Sequence, residues 1–172
     1  HPPGHWRLSR SENPAGGMAA RGIHLVDAMI HICGRIGSVY ARSQRRVLNA
    51  EMDDTTAALF EFRNGMTGQL ATMMATAELW RLHVFGSQGW AKMECVEHIP
   101  SSTLATCSVD GELKVVNYRA SNLEQSELEA FAAAVENGRI ETVAVDEAVH
   151  GISVWEAIDE SSRAATAVAV SR

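Results

Sequence analysis

The sequence predicts an α+β domain in which helices cover one face of an open, mostly antiparallel sheet of about six strands. Helical periodicity is confined to the two ends of the chain, whereas residues 36–118 show the alternation and β-branched content typical of strands. Short turns separate these strands along the chain. Since parallel strands need long crossovers, short turns favour antiparallel neighbours.

The first predicted helix covers residues 17–33, between Gly17 and a terminating Gly34. It is apolar over most of its circumference, which is typical of a buried helix. One narrow side carries polar groups, because Ala20, His24, Asp27 and His31 fall on the same side of the helical wheel. An unpaired polar group in a buried helix costs about 1–3 kcal/mol, so these side chains need partners, a ligand or a water-filled cleft.

The middle of the chain is predicted to form strands and tight turns. Asp110-Gly111 is a dipeptide that favours a type I′ hairpin, and Gly86 to Gly89 joins two further strands. The predicted strands are Ser38–Val47, Thr55–Phe62, Met66–Ala77, Trp80–Phe85, Ala91–Val96, Thr103–Val109 and Leu113–Tyr118.

The remaining segments complete the predicted order of elements. The first fifteen residues hold three of the four prolines and read as irregular structure. Two helices close the chain, one over Leu123–Asn137 ended by Gly138, the other over Asp146–Val168 with Asp146 as N-cap.

The helix-free face of the sheet is predicted to lie at a subunit interface. Along residues 66–75, neither alternate set of side chains contains a charged residue. A sheet face exposed to water normally carries charged groups, so we expect a homo-oligomer built through this open face.

Size and composition limit the class of protein. A chain of 172 residues fits one domain spanning 1–172. The net charge of −6 argues against a nucleic-acid partner, and no apolar run is long enough to cross a membrane. Three widely spaced cysteines favour reduced thiols and a cytoplasmic protein. Because the chain opens on His1 rather than Met, we expect it to be a fragment.

His24 is the candidate acid/base residue, because histidine is the side chain suited to proton transfer near neutral pH. A satisfied core histidine is the alternative, and His24, Asp27 and His31 are also considered as a metal triad. Arg7 beside Trp6 is the candidate substrate clamp, with an ordinary solvated arginine as the alternative. There is no G-x-G-x-x-G motif between a strand and a helix, so no nucleotide site is predicted in this chain.

Several strings resemble the C-terminal domain of the Gfo/Idh/MocA oxidoreductases, the family of glucose-fructose oxidoreductase and inositol dehydrogenase. The most specific is Gly16-Gly17 followed by Gly22-x-His24-x-x-Asp27. Trp6-Arg7, the residues 84–90 and the helix holding Phe131 add to the resemblance. The chain departs from the family pattern at Ala20, where the family has Asp, so Asp27, His31 or Arg21 is left as an alternative partner for the imidazole.

The resemblance implies the substrate-binding and oligomerising half of an enzyme whose separate N-terminal Rossmann domain holds NAD or NADP. The family transfers a hydride between nicotinamide and a hydroxyl-bearing carbon of a sugar, polyol or related small molecule. The acid/base role then falls on His24, and substrate contacts on Trp6, Arg7, Asp27 and His31. The isolated chain is expected to be inactive. The alternative function is a non-catalytic dimeric interaction module, and a metal-dependent site comes third.

Overall fold

The computed structural model describes residues 4–96, 101–119, 122–138 and 144–171, with only the backbone at Ala20. The chain divides into two compact units. The first contains His1–Thr76 and Val143–Arg172, and the second contains Ala77–Thr142. The helices and strands follow in the order 3-10 turn Trp6–Leu8, π-helical turn Met18–Gly22, α1 Ile23–Cys33, β1 Ile36–Gln44, β2 Thr55–Phe62, β3 Thr67–Met73, β4 Trp80–Gly86, β5 Gly89–Cys95, β6 Thr103–Ser108, β7 Leu113–Asn117, α2 Leu123–Asn137, α3 Val145–Ala164 and β8 Val168–Ala169.

The first unit is a four-stranded antiparallel sheet in the order β3-β2-β1-β8, with α1 and α3 packed on its inner face. Alternation along the strands separates inner from outer side chains. Val39, Ala41, Ala58 and Phe60 are buried, whereas their neighbours Tyr40 and Leu59 are exposed. This alternation is the sequence pattern that predicted half-buried strands.

Helix α3 bonds directly to the backbone of β1 through its side chains. His150 Nε2 accepts from Ile36 N–H at 3.0 Å, Ser161 Oγ from Ala41 N–H at 2.9 Å, and Ser162 Oγ from Ser43 N–H at 2.7 Å. His150 and Ser161 are completely buried. These bonds satisfy strand donors that the short β8 does not reach, so α3 closes much of this edge of the sheet.

The second unit is a four-stranded antiparallel sheet in the order β4-β5-β6-β7, together with α2. Helix α2 begins after Asn122, whose side chain accepts from Gln125 N–H, and ends at Gly138 in the left-handed conformation. Between β4 and β5, Gly89 has φ 138°, and a Cβ there would lie 2.0 Å from Cys107 O. Only glycine fits this close approach of two strands.

The α+β class, the antiparallel pairing and all three predicted helices are confirmed. The strands, however, form two sheets of four among the described residues, not one sheet of about six. The predicted strand Met66–Ala77 is shorter in the structure, where β3 ends at Met73. Met74 N–H donates to Asp54 O as the last rung of the ladder with β2, and the chain then leaves the sheet. Alternation shows which residues are extended, but it does not show which strands pair.

Three local predictions were wrong. Asp146 is not the N-cap of α3, which begins after Ala144. The same helix ends at Ala164 instead of Val168, because Val168–Ala169 pairs with β1. The hairpin at Asp110-Gly111 is not type I′, because that turn needs positive φ at both residues and only Gly111 has it. The turn is closed by the Gly111 N–H, which donates to Ser108 O.

A buried carboxylate organises the loop between β1 and β2. Asp54 is 1 % exposed and accepts from the N–H groups of Leu48, Val47 and Arg46 at 2.7–3.1 Å and from the Thr55 hydroxyl at 3.0 Å. The bond from Leu48 N–H contributes most to lowering the pKa of Asp54 to about 2, against the opposing effect of burial.

We expect Asp54→Asn to lower the free energy of unfolding near pH 7 by about 1.5–3 kcal/mol, because charge-assisted hydrogen bonds are lost. The folded pKa lies below the usual value of about 3.9 for Asp, so the stabilisation is present above that pH and is lost as pH falls toward 2. Urea titrations at several pH values measure it. Asp53→Asn is the control, because Asp53 is nearly as buried as Asp54 but pairs with the Arg10 guanidinium at 3.5 Å. If the stability lost in Asp54→Asn does not change with pH, the prediction is contradicted.

Candidate active site

The helix that carries the predicted site begins with an unusually tight approach between backbone segments. Gly16 has φ 50°, and a Cβ there would lie 1.8 Å from Asp53 O. At Gly17 a Cβ would lie 2.9 Å from Met74 Sδ, next to β3. The two glycines therefore let the start of the helix press against the β2 and β3 side of the unit.

The segment Met18–Gly22 between these glycines and α1 forms a π-helical turn. Single π-helical turns are rare and are frequent at functional sites. A Cβ at Gly22 would lie 2.4 Å from Met18 Sδ and 3.1 Å from Thr72 Cγ2, so the turn is closely packed on its inner side. His24 lies two residues after this turn, in the first turn of α1.

Helix α1 has one buried side and one exposed polar side. Val26, Met29 and Ile30 are buried. His24, Asp27 and His31 are all exposed, so the structure places the three predicted side chains on one surface of the helix. The helix is less buried than its apolar composition predicts, since Ile32 is also 53 % exposed.

This exposed set, which we call the polar stripe, consists of His24, Asp27 and His31. Asp27 lies about one helical turn from His24, and His31 lies about two turns from it. His24 and His31 are therefore separated by about 10 Å along the helix axis. Among the described residues, no group of three His, Cys, Asp or Glu side chains could hold a metal ion. The structure therefore gives no support to the alternative of a metal triad.

Trp6 and Arg7 lie together in the 3-10 turn that precedes the helix. The guanidinium carbon of Arg7 is 4.5 Å from the centre of the Trp6 ring, and Trp6 is 52 % exposed. The turn is held in place because Glu51 N–H and Met52 N–H both donate to Leu8 O at 3.1 Å. A cation stacked on an indole keeps its outward N–H groups available to a ligand.

Sequence reasoning missed the residue that fixes the position of Arg7. Asn13 is 3 % exposed, and its side-chain amide donates to Arg7 O at 2.9 Å. One weak indication of this role was present in the sequence: Asn13 lies in a segment predicted to be irregular, and asparagine side chains there often hydrogen-bond to nearby backbone. His150, in contrast, is buried and accepts a hydrogen bond from Ile36 N–H, and His98 lies outside the described residues.

The glycines of this region do not form a cradle for the pyrophosphate of a dinucleotide. Such a cradle needs open space above backbone N–H groups at a helix start. Here the space next to Gly16 is filled by the Asp53 carbonyl and that next to Gly17 by Met74. These residues therefore pack the helix and do not fit NAD or NADP.

A profile of the GFO/IDH/MocA C-terminal domain matches residues 1–92, which include the 3-10 turn, the glycines and the polar stripe. The chain belongs to this family. Comparison with curated proteins gave no match. No helix in the described part of the chain is both long and apolar enough to span a bilayer.

Solved structures share the fold of this GFO/IDH/MocA domain. Aldose-aldose oxidoreductase from Caulobacter crescentus, complexed with glycerol, is 19% identical, with a TM-score of 0.84 over 98% of this chain and 52% of that one. Levoglucosan dehydrogenase with NADH and L-sorbose is 17% identical, with a TM-score of 0.79 over 97% and 53%. An NAD binding oxidoreductase from Klebsiella pneumoniae is 17% identical, with a TM-score of 0.77 over 99% and 54%. The chain thus spans about half the length of these proteins.

We expect Gly16→Ala to lower the free energy of unfolding by about 2–4 kcal/mol, because a methyl group there combines left-handed strain with a clash against Asp53 O. Gly65→Ala is the matched control, since Gly65 has φ 85° but nothing within 4 Å of its Cβ. Its cost should be about 1 kcal/mol. Urea unfolding of both variants measures the difference, and equal losses would mean that the close approach at Gly16 is unimportant.

Proposed function

We propose that this chain is the substrate-binding and oligomerisation domain of an NAD(P)-dependent oxidoreductase acting on a sugar, polyol or related hydroxy compound. The polar stripe and the turn before it form the proposed substrate surface, with His24 as acid/base and substrate contacts from Trp6, Arg7, Asp27 and His31. The observation that carries the proposal is the exposed polar stripe on a helix whose other side is packed, in a chain of this family.

The chemistry of the polar stripe suits a hydroxylated substrate. Oxidation of a carbinol releases the hydroxyl proton, and a ring nitrogen of His24 within hydrogen-bond reach can accept it. In the reverse direction the same imidazole returns the proton. Asp27 and His31 add an acceptor and a further polar group on the same side of α1, which suits a molecule with several hydroxyls.

The Trp6–Arg7 pair supplies the other kind of contact that such a substrate needs. The indole face packs well against the C–H groups of a sugar or polyol. The guanidinium offers several N–H donors to hydroxyl or carboxylate oxygens. Asn13 holds the backbone of Arg7, which anchors the turn that carries this pair.

We further propose that the complete protein contains a separate N-terminal Rossmann domain that binds NAD or NADP. The names of the similar structures, which include NADH complexes and an NAD binding oxidoreductase, support this cofactor class. The length of those proteins supports a second domain, and the filled space at Gly16 and Gly17 supports a cofactor site outside this chain. A cytoplasmic location is proposed because the cysteines, at positions 33, 95 and 107, are free thiols.

The outer face of the first sheet supports the proposed homo-oligomer. Tyr40, Leu59 and Gln69 lie side by side across three strands, and all are exposed. The next row is Arg42, Ala57 and Ala71. Such a largely uncharged sheet face suits contact with a second subunit.

In the complete enzyme, His24→Ala is expected to lower turnover by about 10²–10⁴-fold, because the proton acceptor is removed. Steady-state rates with NAD(P) and candidate polyols measure the change. His83→Ala is the control, since His83 is an exposed histidine on β4. Unchanged turnover for His24→Ala would remove His24 from the mechanism, whereas no turnover even in the unsubstituted protein would favour a non-catalytic interaction module.

Leu59→Asp is expected to shift the protein from oligomer to monomer at micromolar concentration, because a carboxylate would be buried at the interface. Sedimentation velocity measures the change. The matched control is Leu79→Asp, since the two leucines are 57 % and 55 % exposed but Leu79 lies in the second unit. A wild-type protein that is already monomeric would contradict the proposed interface.

A further inference from the structure

The outer face of the first sheet carries one cation and one anion along β1, β2 and β3. The outward side chains are those of the even-numbered residues 38–44 and the odd-numbered residues 55–61 and 67–73, because the residues between them point to the helices. Among these outward positions only Arg42 and Glu61 are charged, and both are exposed. An interface built on this face must therefore satisfy both of these charges.

The strand register places the two charges on opposite sides of one uncharged row. Tyr40, Leu59 and Gln69 lie side by side in this middle row. Glu61 lies one row to one side of it, and Arg42 lies one row to the other side. Since outward residues of a strand follow at about 7 Å, the two charges are displaced by about the same distance in opposite directions.

Neither charge has an ionic partner within the described part of the chain. Arg42 takes part in none of its ion pairs, and Glu61 accepts only from the neutral Ser38 hydroxyl, at 3.2 Å. Arg42 and Glu61 are two rows apart, about 14 Å along the strands, which is too far for them to pair within one copy. Each is thus available to an opposite charge on another surface.

We infer that two copies of the first sheet pack face to face about a two-fold axis that crosses the strands along the middle row, so that Glu61 pairs with the partner's Arg42. This inference rests on the proposed homo-oligomer and specifies its arrangement. Rotation about the axis exchanges the rows on its two sides, so the row of Glu61 comes opposite the partner's row of Arg42. Symmetry gives two such ion pairs, one on each side of the axis.

The residues of the middle row suit contact with their own copies. Leu59 is 57 % exposed and Tyr40 41 %, so the axis runs through apolar surface that burial would stabilise. The Gln69 amide has both a donor and an acceptor, as has the Tyr40 hydroxyl, so each can hydrogen-bond to an identical group. No charged side chain meets its own copy on this axis.

The small side chain beside Arg42 leaves room for the ion pair. The residue directly opposite Glu61 would be the partner's Ala57, and the partner's Arg42 would lie on the next strand, about 4.8 Å to the side. Packed sheets lie about 10 Å apart, so an arginine can lean over a neighbouring methyl group to reach the carboxylate. A bulky residue at position 57 would fill that space.

The other simple two-fold arrangement opposes like charges. With an axis parallel to the strands along β2, Glu61 would lie opposite the partner's Glu61. Arg42 would then lie opposite the partner's Ala71, without an acceptor. Two carboxylates and two unpaired guanidinium groups would be buried, which is strongly unfavourable. The charges of this face therefore select the axis that crosses the strands.

Charge reversal tests the ion pairs. Arg42→Glu and Glu61→Arg should each raise the dissociation constant of the dimer by about tenfold or more, because each brings like charges together twice. The double variant restores opposite charges and should return to within about threefold of the unsubstituted protein. Sedimentation equilibrium measures all four proteins, and Arg81→Glu, at an exposed arginine of β4, is the control. A double variant as weak as the single ones, or single variants without effect, would overturn the inference.

Mixing two variants tests the position of the axis. Leu59→Asp and Leu59→Lys should each be monomeric alone, because like charges would meet on the axis. A one-to-one mixture should form a heterodimer, since the two substitutions then face each other. Leu59→Asp mixed with Met73→Lys is the control, because Met73 lies two rows from the axis and on another strand. Equal association in the two mixtures, or none in the first, would contradict an axis along the middle row.

The outcomes separate this inference from the proposed function. Association that is lost with Leu59→Asp but unchanged by both charge reversals would leave the proposed interface standing and overturn the arrangement inferred for it. An unsubstituted protein that is monomeric would overturn the interface and the arrangement together. The effect of His24→Ala on turnover tests the proposed substrate surface separately from both.

Discussion

The fold of the first unit depends on the bonds between α3 side chains and the backbone of β1. His150 and Ser161 are buried acceptors for strand N–H groups, and each would leave an unsatisfied donor if it were replaced by an apolar residue. These bonds set where α3 lies along β1. Helix α1 then packs against α3, and it does so closely: a Cβ added at Gly151 of α3 would lie 4.0 Å from Ile23 Cδ1 of α1.

That packing decides which side of α1 remains accessible. Val26, Met29 and Ile30 take up the inner side, so the polar stripe is left outside. The tight start at Gly16 and the π-helical turn place His24 at the beginning of the regular helix. The carboxylate of Asp54 orders the loop before β2, and the neighbouring Asp53 carbonyl forms the wall against which Gly16 packs. A proposed catalytic surface thus rests on interactions that are themselves purely structural.

The sequence anticipated much of the secondary structure because its local signals agree with its fold. Thr55–Phe62 was predicted with the bounds that the structure has, since alternation runs through the whole strand. Leu123–Asn137 was also predicted with correct bounds, because Asn122 and Gly138 cap it. An error came where a distant segment overrides a local preference: Val168–Ala169 leaves the helical pattern to pair with β1.

By itself the sequence determined the α+β class, the order of elements and the alignment of His24, Asp27 and His31, because each follows from the period of a helix or a strand. Family membership also follows from motifs that the chain carries in its first half. Only the tertiary structure decided that the strands divide between two sheets, that the polar stripe is exposed, and that Asn13 holds Arg7. These features depend on contacts between residues far apart along the chain, for which local periodicity has no signal.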